Sequence, residues 1–327
     1  MKTLLAVALM TTAGQAWGAP VPGSLEVHWN AGAPDCAATP QSPLQVHAYE
    51  PQTLILRQSP CADFEANFVY LLIGSDRALL IDTGAVADPQ RMPLAKTVLD
   101  LLPAKNGAKL PLLIVHTHGH ADHRAGDAQF ASLPSVRIAP TELPEARTFL
   151  GLDDWPNGVA RIDLGGRSVE VVATPGHHPG HMSFYDGRTG LFFSGDFLLP
   201  GRLLIDDVDA YRDSAVRAAE FLKARPATHI LGGHIELGLD GRAYPSGAQH
   251  HPRERPLQLS RHDLLALPAA LDGFNGFYAR HPTFILSNPI HNLLAIAVAV
   301  LALLALSIYA GRRALRRRRK QAQATTR

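Results

Sequence analysis

Apolar and polar positions divide the chain into a leader, a patterned body and a greasy C-terminal run. From Asn67 the alternation tightens: FVYLLI and ALLID flank the short turn GSDR as a β-hairpin. PQRMPLAKTVLDLL has helical spacing of its apolar residues, and LPLLIV (110–115) reads as a buried strand. VRIAP, ARIDL and VEVVATP follow as strands, and HMSFYD and LFFSGD form a second hairpin across GRTG. Asp206 or Asp207 caps a helix reaching about Ala224, with Tyr211, Ala215, Ala219 and Leu222 on one face. ATHIL (227–231) closes the series. Strands interleaved with helices predict an α/β chain, its domain running over 46–258.

The ends obey different rules. Residues 1–18 join Lys2 to the apolar LLAVALM and end in AGQAWG, the profile of a secretory signal cleaved after Gly18. Residues 19–45, rich in Pro, Ala and Gly, read as an irregular lead-in. After the domain, 259–288 is expected to hold a short amphipathic helix and then a juxtamembrane connector. The segment 289–310 contains the uncharged run LLAIAVAVLALLALSIYA, long enough in a helix to span a hydrocarbon core. The arginine-rich tail 311–327 then places the C-terminus in the cytoplasm and the body outside it. The expected address is a plasma or inner membrane, with the catalytic domain periplasmic in a Gram-negative cell.

That topology changes the meaning of the charge. The whole chain is +2, but eight of its 31 Lys and Arg lie in the tail and one in the leader. The remaining 22 face 29 Asp and Glu, so the exported part is near −7 and is no nucleic-acid binder. Both cysteines, Cys36 and Cys61, fall in the exported part, where an oxidising compartment favours a disulfide between them.

The chemistry concentrates in VHTHGHADH, residues 115–123. His118 and His120, two apart in extended chain, can converge on one ion, while Asp122 and His123 follow a bend and can face a second. Imidazoles with a carboxylate suit zinc best, with iron or manganese as alternatives. More donors stand in glycine-rich sequence after apolar strands: His177 and His181 in TPGHHPGH, Asp196 in SGDF, His234 in GGH, and Asp82 in LLIDTG. His116 reads as a strand-end residue packed beneath the loop.

In that order LIDTG, THGHADH, TPGHHPGH, FSGD and GGH resemble the five motifs of the metallo-β-lactamase-fold superfamily, over roughly residues 46–240. The resemblance implies a four-layer αβ/βα sandwich with two metals, zinc first, at one edge of its sheets. It implies that His118, His120 and His177 hold the first metal, that Asp122, His123 and His234 hold the second, and that Asp196 bridges them. Asp82 then supports the loops without binding, and His181 lies behind the ligands or faces substrate. An aspartate at position 196 resembles glyoxalase II-like and lactonase-like members more than true β-lactamases. The implied reaction is metal-activated water attacking the carbonyl of a small ester, thioester or lactone, with Asp122 orienting the nucleophile. A one-iron persulfide dioxygenase and an exported β-lactamase are the alternatives. Only 37 residues separate Asp196 from His234, too few for the extra domain of nuclease members. Specificity is expected in the loops 142–160 and 238–258, where His250 and His251 are candidates to face substrate.

Overall fold

A computed structural model describes residues 18–325, so the expected signal peptide lies outside the described residues except at Gly18. Two six-stranded mixed sheets pack face to face. The first runs, in spatial order, Leu44–Glu50, Thr53–Gln58, Phe68–Ile73, Ala78–Ile81, Leu112–Val115 and Val136–Ile138. Its first four strands meander antiparallel, and the last two join in parallel through helical crossovers. The second sheet runs Gln258–Leu259, His229–Gly232, Leu191–Gly195, Met182–Asp186, Ser168–Ala173 and Val159–Asp163. Here the parallel pair is Leu191–Gly195 with His229–Gly232.

Alternation along the strands sorts the side chains into three apolar layers. Between the sheets, Ile55, Tyr70, Leu72, Leu79 and Ile81 meet Val169, Val171, Phe184 and Phe193. Outside the first sheet, Leu54, Val69, Leu71, Leu80 and Ile114 pack on Leu94 and Val98 of the helix Leu94–Leu101. Outside the second, Val172, Tyr185, Phe192 and Ile230 pack on the helices Val208–Lys223 and Arg261–Asp272. Strands buried on both faces explain why these segments read as unbroken apolar runs. Buried Arg167 ties the sheets together, bonding Asp186 at 2.8 Å, the Gln52 carbonyl at 2.6 Å and the Thr53 hydroxyl at 2.6 Å.

The helix expected to start at Asp206 or Asp207 is capped by Asp207, whose carboxylate accepts from the Ala210 N–H at 3.0 Å. Elsewhere the structure is more regular than the sequence pattern. Leu44–Glu50 and Thr53–Gln58 precede Asn67, and Leu143–Leu150 is a helix inside a stretch expected to be loop. The segment 259–288 is part of the folded body: Ser260 and Asp263 form a capping box, and Ile285–Ser287 pairs with Arg202–Leu204 and Tyr278–Arg280 in a small third sheet. One residue, Asn288, separates that sheet from the helix Pro289–Thr325. The apolar part of this helix, Pro289–Arg316, has mean hydropathy 2.7 over its best window and is nowhere buried. Cys36 and Cys61 are joined by a disulfide closing a 25-residue separation.

Candidate metal centre

The strands Leu112–Val115, Ser168–Ala173, Leu191–Gly195 and His229–Gly232 all deliver their C-terminal ends to one edge of the sandwich. The loops leaving them bring together all seven side chains read as ligands. His118 Nε2 lies 2.9 Å from His120 Nδ1 and 3.3 Å from His177 Nε2, and the last two are 3.2 Å apart. Beside them, Asp122 Oδ2 lies 3.2 Å from His123 Nε2 and 3.4 Å from His234 Nε2, which are themselves 3.3 Å apart. Asp196 reaches both groups: Oδ1 is 3.4 Å from His123 and from His234, and Oδ2 is 3.6 Å from His177.

These separations test whether metal fits. Donors about 2.0–2.1 Å from a tetrahedral zinc stand about 3.3 Å from one another. Three overlapping sets have donor atoms within 4.8 Å: His118, His120, His177; His118, His123, Asp196; and Asp122, His123, His234. Asp196 Oδ1 is buried without a hydrogen-bond partner, an arrangement that costs free energy unless a cation satisfies it. A methyl group on Gly233 would stand 2.6 Å from that oxygen, so the cradle admits no side chain there. The His/Asp donors are thus consistent with a dinuclear metal site.

The groups around the donors aim them. His123 turns its far nitrogen, Nδ1, to Asp82 Oδ2 at 2.9 Å, while Asp82 also accepts from the Thr117 N–H at 2.7 Å and hydroxyl at 2.9 Å. Asp82 has φ +65°, a conformation that L residues other than Asn and Asp seldom adopt. His177 Nδ1 donates to the Leu204 carbonyl at 2.9 Å, and His234 Nδ1 to the Glu65 carbonyl at 2.7 Å. Each bond fixes the tautomer and leaves Nε2 as a lone-pair donor. His181 is fully buried outside the donor sets: its Nδ1 pairs with the Thr174 hydroxyl at 2.8 Å, and its Nε2 accepts from the Asp196 N–H at 3.2 Å. It therefore holds the Asp196 backbone. His116 bonds Asp127 at 2.9 Å, away from the cluster.

Electrostatically the two groups differ. Burial, reinforced by neighbouring imidazoles, pushes His118 well below the usual histidine range, and burial lowers His120 as well. Burial opposes charge on His234 too, but Asp196 and Asp122 overcome it and push its pKa up to about 10. His123 is raised against burial by Asp196 and Asp82. Against burial of their own, Asp122 and Asp196 are held below the carboxylate range by His123 and His234. The carboxylate side of the site thus calls for positive charge, which a divalent cation supplies.

Two residues here escaped the sequence reading. Buried Asn67 donates to Asp122 Oδ2 at 3.2 Å, and Glu65 positions His234 through its carbonyl. Neither sits in a motif; their only signal is proximity to the first hairpin. A cavity of about 220 Å³ opens beside His234, with Phe64, Glu65, Arg202, Leu204, Tyr244 and His251 in its lining. His251 stacks on Tyr244 at 4.3 Å and bonds Glu254 at 2.9 Å, which in turn clamps buried Arg57 at 2.6 Å. His250 is outside that lining, its backbone bridging Gly32. Of the pair, only His251 reaches the cavity.

Two mixed sheets with a histidine–aspartate cluster at their shared edge define an α/β sandwich built to hold metal. The chain belongs to the metallo-beta-lactamase superfamily, whose sequence profile matches residues 62–234. It is 34% identical over 136 residues to a hydroxyacylglutathione hydrolase of Synechococcus sp., 41% of this chain and 50% of that protein. Thus it spans about half the length of that relative. It is also 27% identical over 201 residues to the acyl-coenzyme A thioesterase MBLAC2 of Bos taurus, covering 51% of this chain and 72% of that one. Among solved structures, a metallo-beta-lactamase superfamily protein of Sulfolobus tokodaii aligns with TM-score 0.41 and 18% identity, over 74% of this chain and 91% of that one.

Proposed function

We propose that this chain is a membrane-anchored, exported dinuclear zinc hydrolase that cleaves a small acyl thioester, ester or lactone. Both curated relatives named above are thioester hydrolases by name, which weights the reading toward thioesters. The observation that carries it is the position of Asp196, with one oxygen toward His123 and His234 and the other toward His177. His118, His120 and His177 would hold one ion, Asp122, His123 and His234 would hold the other, and Asp196 would serve both. Such ions supply Lewis acidity and lower the pKa of a bound water to about 7. Asp122, kept charged by its histidine neighbours and oriented by Asn67, would accept a hydrogen bond from the attacking water. The cavity beside His234 receives the part of the substrate next to the carbonyl. The apolar helix Pro289–Arg316 anchors the chain in the membrane, and the disulfide supports an oxidising, exported compartment.

Metal analysis of the purified full chain in detergent, with assays on thioester, aryl ester, lactone and β-lactam substrates, tests this reading. Close to two zinc ions per chain, and thioester turnover lost to chelator and restored by zinc, is the expected result. One iron per chain with oxygen uptake on a persulfide would overturn it.

A further inference from the structure

The metal edge and the foot of the apolar helix are joined by one small sheet. His177 donates to the carbonyl of Leu204. Leu204 pairs with Ser287, and Ser287 also pairs with Tyr278. Each pairing is one strand spacing, about 4.8 Å. Two residues beyond Ser287 the helix begins at Pro289. Nor is its foot a loose tether. The Phe277 carbonyl accepts from Asn288 N at 3.0 Å and Asn292 Nδ2 at 3.1 Å, and His291 Nδ1 bonds the Gly276 carbonyl at 2.8 Å.

Alternation then fixes what this sheet presents. Leu203 and Leu286 face the core, so Leu204 and Tyr278 share the opposite face with Arg202. Arg202 and Leu204 line the cavity beside His234, together with Phe64. Phe64, Leu204, Phe277 and Tyr278 are 41, 38, 44 and 46% exposed, too much for core residues and unusual for four large apolar side chains in one region. Phe277 and Tyr278 stand level with the first helical turn, and the Phe277 ring lies 5.9 Å from that of His291. Tyrosine and tryptophan concentrate at that depth where a chain enters a bilayer.

We infer that the cavity mouth opens onto the extracytoplasmic face of the membrane that anchors the chain and that the substrate is an amphiphile, a long-chain acyl thioester or ester whose chain tail stays in the lipid. Phe64 and Leu204 guide the carbonyl end of the chain from the bilayer surface to the cavity, and Phe277 and Tyr278 seat the rim in the headgroup layer. Water adds across the acyl–sulfur or acyl–oxygen bond, releasing the fatty acid to the bilayer and the thiol or alcohol to the aqueous side. The inference rests on the anchoring and hydrolase readings above.

The test uses the full chain in phosphatidylethanolamine–phosphatidylglycerol vesicles carrying brominated acyl chains. With the Tyr278→Trp variant, the added emission should shift to the blue and be quenched by the bromolipid. In the same vesicles, kcat/KM should rise roughly tenfold or more from a four-carbon to a twelve-carbon acyl thioester, reflecting burial of the added methylenes. The double variant Phe277→Ser/Tyr278→Ser should flatten that ratio. Unquenched emission or a flat chain-length profile, in protein that resists alkaline carbonate extraction, would overturn the inference and leave the anchor standing. Release by carbonate would overturn both. Quenching without hydrolysis of any acyl substrate would overturn the hydrolase reading and the amphiphile with it, while the membrane-facing rim stands.

Discussion

The two sheets support their halves of the site in different ways. The first contributes His118, His120, Asp122 and His123 from a single loop, and Asp82 braces that loop through Thr117 and His123. The second contributes His177, Asp196 and His234 from three separate strand ends. Each of these is held by a different group: the Leu204 carbonyl, the His181 ring and the Glu65 carbonyl. One half is a unit with a common support, and the other is an assembly of independent parts. Damage to the support should therefore spread through the first half, whereas damage in the second should stay local unless it strikes Asp196, which faces both.

Asp196→Ala is accordingly the severest test. Metal content should fall below two per chain by elemental analysis, and turnover should be abolished; full activity would remove Asp196 from its proposed place between the ions. Next comes Asp82→Asn, which weakens the acceptor for His123 Nδ1 while keeping the shape. Loss of such a supporting group lowers metal affinity or activity about 10–100-fold, measurable by titration against a chelating dye. Wild-type affinity would show that the loop is braced elsewhere. Gly233→Ala pushes a methyl group toward Asp196 Oδ1 in the second half. It also comes within 3.0 Å of His123 Cε1, so the overpacking should cost about 1–3 kcal/mol, read as a lower Tm and, because Asp196 faces both donor groups, as weaker metal binding at both. The smallest effect belongs to Asp207→Ala, remote from both halves. Loss of this cap should cost about 1 kcal/mol, seen as a small fall in Tm with metal content unchanged.

Legibility followed the same division. The first-sheet donors lie within six residues and could be seen as a cluster in the chain itself. Asp82, His177, Asp196 and His234 were legible because each follows an apolar strand and lies within two residues of a glycine, and because the motifs occur in a familiar order. Two strands ahead of Asn67 were hidden by polar residues in buried positions. Arg57 and Gln58 end the strand Thr53–Gln58, and both are fully buried, held by residues distant in the chain: Arg57 by Glu254, and Gln58 by the Ala85 N–H, which donates to its amide oxygen. The helix Leu143–Leu150 was obscured by Pro144, which reads as a loop residue although proline is well suited to a first helical turn. Asn67 and Glu65 carry no periodic or motif signal at all.

By itself the sequence determined the α/β class, most strand positions, the donor residue types and the long apolar C-terminal helix. These rest on local causes: period, capping, glycine placement and an unbroken apolar run. Only the tertiary structure decided that Asp196 faces two sets of donors, that His251 and not His250 reaches the cavity, and that the sheet beside the metal edge runs directly into the apolar helix. Such relations join residues far apart in the chain, and no local rule of spacing or hydropathy encodes a distance across the fold.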